Sequence, residues 1–179
     1  MSCRLAITFL IAVVLLGCGK GAPSTPPAPL PGDAIISGKG ITIDGKQIPI
    51  PFTRDQIVAV LGPPSRTLQQ TDAILIWDDK GIRASIKKEG DQGSVIHLVL
   101  DYGDTEGNWP MKSFTHSIWI NSVQLTVSSK AADLQAAGFK RHASASFLWT
   151  LEVGDCSVLS HTDLQTLSLN LVSLSEKMK

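Results

Sequence analysis

Two stretches of the chain repeat one order of apolar and polar positions. Residues 41–62 read ITIDGKQIPIPFTRDQIVAVLG, and residues 118–138 read IWINSVQLTVSSKAADLQAAG. In the first, Asp44-Gly45 is a dipeptide that accepts positive φ at both central positions of a type I′ turn, so its flanks are predicted to pair as a hairpin. That register sets Ile43 opposite Lys46 and Ile41 opposite Ile48, and it gathers Ile41, Ile43, Ile48 and Ile50 on one face. Asn121-Ser122 plays the same part in the second stretch, where Ile118, Ile120, Val123, Leu125 and Val127 share a face. Each hairpin then leads into a short helix ending at Gly62 or Gly138.

The first helix has a dense start signal. Thr53 can cap, Gln56 stands at N3 as in a capping box, Phe52 can staple onto Ile57, and Asp55 suits the positive end of the helix dipole. Ile57, Val60 and Leu61 form the buried stripe, and Gly62-Pro63-Pro64 predicts a left-handed stop. In the second helix Ser129 takes the place of Thr53, Leu134 and Ala137 match Val58 and Leu61, and Ala132 replaces the capping glutamine.

Three strands follow each helix. Residues 73–77 form an apolar run, and residues 82–87 alternate with Ile82, Ala84 and Ile86 inward. Residues 95–101 place Ile96, Leu98 and Leu100 on one face and His97, Val99 and Asp101 on the other. In the second half Phe147-Leu148-Trp149 matches Leu75-Ile76-Trp77, residues 156–160 match 82–86, and Leu167, Leu169 and Leu171 repeat the last inward set. The offset between halves falls from 77 residues at the hairpins to 76 at the glycines and 72 at the tryptophans. The expected fold is therefore α+β, a tandem duplication of a ββαβββ unit, with antiparallel sheets and one short helix per repeat packed on one face. The repeats span residues 35–103 and 114–179, joined by a connector at 104–113. A unit of this size has a marginal core alone, so the halves are expected to share one.

The 16 basic and 16 acidic residues leave no global field, which argues against a nucleic-acid partner. At the N-terminus Arg4 precedes an apolar run from Leu5 to Leu16 broken only by Thr8, the length of a signal h-region and too short to cross a bilayer. Leu15-Leu16-Gly17-Cys18 resembles the bacterial lipoprotein signal, which implies that residues 1–17 are removed and that Cys18 carries the lipid. Loss of Arg4 leaves 15 basic against 16 acidic groups and Cys156 as the one free thiol, so the fold is expected to stand on packing without a disulfide. Residues 18–34 hold the lipidated cysteine and a proline-rich, extended spacer. Gly19 and Lys20 lack the aspartate of inner-membrane retention, and the resemblance then implies an outer-membrane address facing the periplasm.

Chemistry-bearing patterns are sparse. Cys156 and His161, five residues apart on one strand, project to opposite faces. His97, His116, His142 and His161 have no metal-ligand spacing, Asp78-Asp79 and Asp101, Asp104 and Glu106 sit in or near turns, and no cofactor-binding or phosphate-cradling motif is present. The sequence thus predicts no metal, no cofactor and no catalytic residues.

Residues 52–64 followed by Ile74-Leu75-Ile76-Trp77 resemble a recurrent module. It is similar to the small outer-membrane lipoproteins of the SmpA/OmlA type and to the duplicated β-lactamase-inhibitor proteins. The resemblance implies helices on one face of an antiparallel sheet, with the other face free to bind protein. Those families usually open with helices where this chain has a hairpin. Trp119 lies between two inward isoleucines and is expected to face away from the core, while Trp109 and Tyr102 lie in or beside the connector. With His97 they form the candidate partner-binding set. The expected function is a lipid-anchored, non-catalytic module that binds an envelope or exported protein, as an immunity or inhibitor protein. An accessory factor in outer-membrane assembly is the alternative, and a hydrolase-type enzyme the remaining one.

Overall fold

The computed structural model describes residues 27–69, 72–87, 95–103, 110–163 and 168–177. The signal segment, Cys18, Trp109 and Leu167 lie outside the described residues. The elements are β1 (Ala34–Ser37), β2 (Gly40–Ile43), β3 (Lys46–Pro49), α1 (Arg54–Leu61), β4 (Arg66–Gln69), β5 (Ala73–Trp77), β6 (Ile82–Ile86), β7 (Val95–Asp101), β8 (Ile118–Ile120), β9 (Val123–Leu125), α2 (Ala131–Ala136), β10 (Lys140–His142), β11 (Ala145–Val153), β12 (Cys156–Thr162) and β13 (Leu169–Glu176). The architecture is α+β, with mostly antiparallel sheets and two short helices. It has one strand more after each helix than the sequence predicted, β4 and β10, and an additional β1 ahead of the first hairpin. These three strands have three or four residues each, too short for a periodicity to show.

Both hairpins form in the expected register. Ile41 stands opposite Ile48 and Ile43 opposite Lys46, and Ile118 stands opposite Leu125 and Ile120 opposite Val123. Asp44, Gly45, Asn121 and Ser122 all have positive φ, as a type I′ turn requires. Val127 departs from expectation: it is 54% exposed, because the chain leaves the ladder after Leu125 and turns through Thr126–Ser129. In that turn the Ser129 N–H donates to the Thr126 carbonyl, and the Thr126 N–H donates to Ser129 Oγ.

Helix α1 carries the full capping box. The Gln56 N–H donates to Thr53 Oγ1 and the Thr53 N–H donates to Gln56 Oε1 at 3.0 Å. Its stop at Gly62 differs in kind from the left-handed cap expected, since φ is +81° and ψ −177°, a region open essentially to glycine alone. In α2, Lys130 takes the N-cap position instead of Ser129, and its N–H donates to Asp133 Oδ2 at 2.8 Å. The Ser129 hydroxyl is already committed to the preceding turn.

The strands form two sheets. The larger runs β10-β11-β12-β13-β7-β6-β5-β4, and the smaller runs β3-β2-β1-β8-β9. Helix α1 touches β3 and α2 touches β9, so the helices flank the small sheet at its two edges. The inward side chains of both sheets and both helices belong to one core cluster. One continuous row crosses the large sheet: Trp77, Ile82, Leu100, Val172, Ser160 and Trp149 stand opposite one another in turn. The tryptophans therefore occupy matching places, but Ser160 stands where Ile82 does, contrary to the expected match of Cys156 with Ile82. The β11–β12 hairpin runs on past this row, and its tip at Gly154 meets the turn at Gly38. A Cβ on Gly154 would lie 2.6 Å from the Gly38 Cα.

Two register shifts alter the predicted inward sets. Between β6 and β7 the register passes from Ser85 opposite His97 to Ile86 opposite Val95, so Val95 joins Leu98 and Leu100 in the core. Between β12 and β13 it passes from His161 opposite Leu171 to Thr162 opposite Leu169. The inward residues are then Leu169, Val172 and Leu174, while Leu171 is half-buried. The extra residue, Asn170, offers its carbonyl to the N–H groups of Tyr102 and Gly103. This is the usual effect of a bulge, which changes the face presented by everything beyond it.

Two positive-φ glycines, Gly62 at the end of α1 and Gly81 in the turn before β6, separate conformational strain from steric overlap. A Cβ at Gly62 would meet nothing within 4 Å, whereas one at Gly81 (φ +67°) would fall on the backbone of Phe114. Gly62→Ala is expected to cost about 1–3 kcal/mol from backbone strain alone, and Gly81→Ala should cost more. Urea denaturation midpoints of the two variants check the order.

Candidate functional site

The outer face of the small sheet holds the candidate site. β1 pairs in parallel with β8, and Ile35 stands opposite Trp119. Because Ala34, Ile36, Ile118 and Ile120 point inward, the alternation of strand side chains sends Ile35 and Trp119 outward. Trp119 indeed lies outside the core cluster. Its neighbours on that face, Ser37, Gln47 and Gln124, are exposed, and Ile35 is 37% exposed, yet Trp119 is only 6% exposed. The expectation of an open indole is corrected: the ring faces away from the core but is covered.

The segment entering β1 supplies the cover. Pro27 and Pro29, with Ile35, Trp119, Asn121 and Ser122, line a cavity of about 380 Å³. The segment is held by Asp33, whose carboxylate accepts three N–H donors: the Leu30 amide (2.9 Å), the Ser117 amide (3.0 Å) and Trp119 Nε1 (2.8 Å). Burial alone raises a carboxylate pKa. Here the hydrogen bonds from Leu30, Trp119 and Ser117, with His116 nearby, together outweigh it and hold Asp33 below its ordinary range. The buried Asp33 thus remains an anion and ties the segment preceding β1 to β8. The sequence placed Asp33 in the spacer, and its partners 84 and 86 residues away left no local signal.

The other candidates lie elsewhere. Tyr102 is buried, contrary to the expected exposed ring. Its hydroxyl donates to the His116 carbonyl at 2.7 Å and its ring meets the edge of Phe114, 5.5 Å between centroids. His97 is exposed on the outer face of the large sheet, four residues from Asp101 on β7. On that face Arg83 Nε donates to Asp101 Oδ2 at 2.7 Å in a mostly buried pair. Burial pushes the Asp101 pKa up against the pull of Arg83, and burial with the Arg83 charge pushes His97 and His161 down. Both imidazoles are therefore held toward the neutral form beside the Arg83–Asp101 ion pair.

Cys156 is wholly buried in the core, its thiol pushed up to about 11 by desolvation, and β12 turns His161 to the opposite face. A buried, protonated thiol without a facing base is a poor nucleophile. Among the described residues no three His, Cys, Asp or Glu side chains converge to hold a metal ion. No helix among them is long and apolar enough to cross a membrane.

A domain of unknown function, DUF7738, matches residues 34–135, more than half of the chain. The chain belongs to the DUF7738 family. The DUF7738 match opens at the first residue of β1, so it takes in every strand of the small sheet and the Ile35–Trp119 pair. No curated protein matches this DUF7738 chain. Among solved structures, it is similar to an extracellular protein containing an SCP domain from Bacillus anthracis, at 12% identity and a TM-score of 0.46, over 70% of this chain and 43% of that one. It is also similar to a DUF4309 family protein (YjgB) from Bacillus subtilis, at 12% identity and a TM-score of 0.44, over 75% of this chain and 84% of that one. The chain thus spans less than half the length of the first of these.

Two substitutions test the electrostatics. Asp33→Asn puts an amide where N–H donors converge and should cost about 1–3 kcal/mol at neutral pH. Because the folded-state pKa of Asp33 is depressed, its contribution is fully present above its ordinary value of 3.8 and is lost as pH falls through the folded value. The gap between wild type and variant should therefore narrow in urea titrations below pH 3.8. Arg83→Met strands the buried Asp101 carboxylate and should cost about 3–5 kcal/mol, measured by the same titration at pH 7.

Proposed function

We propose that the chain is a lipid-anchored, periplasm-facing envelope protein that acts as a non-catalytic protein-binding module. The observation that carries this reading is the apolar cleft at Trp119 and Ile35, on the face of the small sheet that the core leaves free. Tryptophan is the side chain most enriched at binding hot spots. The anchor reading rests on Leu15-Leu16-Gly17-Cys18 and the proline-rich run behind it. Eight residues separate Cys18 from Pro27, which at about 3.1 Å per residue would put the cleft within a few tens of Å of the lipid surface.

The resemblance of residues 52–64 and 74–77 to the SmpA/OmlA and β-lactamase-inhibitor modules supports an immunity or inhibitor protein, with an assembly factor of the outer membrane as the second version. We also infer a tandem duplication. Its support is the strand order, which reads outward from the β13–β7 seam as four strands on either side, with Trp149 and Trp77 in one row. A hydrolase reading has the least support, given the buried thiol of Cys156 and its separation from His161.

Cys18→Ala should abolish incorporation of radiolabelled lipid and release the domain from membranes; unchanged membrane association would sink the anchor. Cross-linked capture from envelopes, compared between wild type and Trp119→Ala, tests the module: a partner retained equally by both would remove Trp119 from the interface. Rescue from a toxin encoded by a neighbouring gene would select the immunity version, and a barrier defect without such a neighbour the assembly version.

A further inference from the structure

The geometry points to the Trp119 cleft as a site for a proline-rich peptide segment, which residues 27–29 of the chain itself imitate and block, held in place by the turn at residues 30–33. This inference deepens the proposed function and rests on its placement of the partner at Trp119. Three observations carry it. Trp119 is the one large outward side chain of the small sheet that is buried, and Pro27 and Pro29 line the cleft that covers it. The indole N–H is already satisfied by Asp33, so what the site offers an incoming group is a flat apolar ring face beside Ile35. About 380 Å³ is still unfilled next to the two prolines, and Asn121 and Ser122 are among the residues lining it.

A flat aromatic face beside an aliphatic side chain suits a polyproline-type segment. Such a segment presents rigid rings, has no internal hydrogen bonds to break, and loses little chain entropy on docking. Among the described residues no charged side chain lines the cleft, and its polar side chains are Asn121 and Ser122, a sparse set for orienting a small charged ligand. The tether makes the blockade intramolecular: a covalently linked segment is present at an effective concentration in the millimolar range, so a free peptide of equal intrinsic affinity is held off. Asp33 fixes the blocking pose through the Leu30 amide. Residues 27–33 are therefore an autoinhibitory strap, and a partner must displace it.

The test uses the full chain labelled with ¹⁵N at tryptophan, the Trp119 indole resonance being assigned by its loss in Trp119→Phe. The probe is a synthetic peptide with the sequence of residues 24–31, STPPAPLP, and the control replaces its prolines with alanine. In the Pro27→Gly, Pro29→Gly double variant the Trp119 indole N–H should exchange with solvent faster than in wild type. The peptide should then bind the variant at least about ten-fold more tightly than wild type, and the alanine control should not bind. Equal binding to both proteins would overturn the strap, and binding to neither, or equal binding of the control, would overturn the proline-rich ligand. Capture from envelopes that depends on Trp119 while the peptide binds neither protein would leave the proposed function standing and this inference refuted.

Discussion

The pairing of β7 with β13 is the constraint on which the rest of the molecule depends. These are the last strands of the two halves of the chain, and their antiparallel ladder joins two four-strand sets into one sheet. Neither set with its own hairpin and short helix would bury enough apolar surface to offset its chain entropy, because surface-to-volume scaling penalises units of that size. Across the seam Leu100 meets Val172 and Leu98 meets Leu174, all fully buried. Both hairpins and both helices then pack on the same inner face, and eight-residue or shorter helices that would not persist alone in water acquire their stability there.

Much of this fold was legible in the residues because its signals are local. Asp44-Gly45 and Asn121-Ser122 dictate turns whose geometry sets the register of everything beside them, and Thr53 with Gln56 marks the start of α1 without reference to anything distant. Distant partners were illegible. The bulge at Asn170, whose carbonyl serves Tyr102 and Gly103, moves the inward set of β13 by one residue, and no alternation of leucines announces it. Ser129 resembles a cap by position, but the turn closed with Thr126 competes for its hydroxyl and wins.

The candidate site divides the same way. That Trp119 faces away from the core follows from its two isoleucine neighbours, which is pure strand alternation. That it is covered depends on a carboxylate more than eighty residues earlier in a stretch that reads as spacer. Tyr102 shows the converse hazard: an aromatic in an irregular, glycine-bearing segment reads as exposed, yet Tyr102 is buried and hydrogen-bonded to His116. The Arg83–Asp101 pair likewise gathers residues from separate strands, and its energetic weight comes from burial that composition alone does not reveal.

The parallel pairing of β1 with β8 also bears on how the domain would carry mechanical load. β1 is the strand that continues directly from the tether, and it is clamped on both sides, by β2 and by β8, over nearly its whole length. A pull along the strand from an anchored N-terminus would meet these two ladders loaded side by side in shear, so that several hydrogen bonds must rupture together instead of unzipping singly. With an edge strand in that place, force would peel the sheet open from its rim. With β1 at the centre of the small sheet, a pull on the N-terminal segment would load a strand held on both sides instead of an edge.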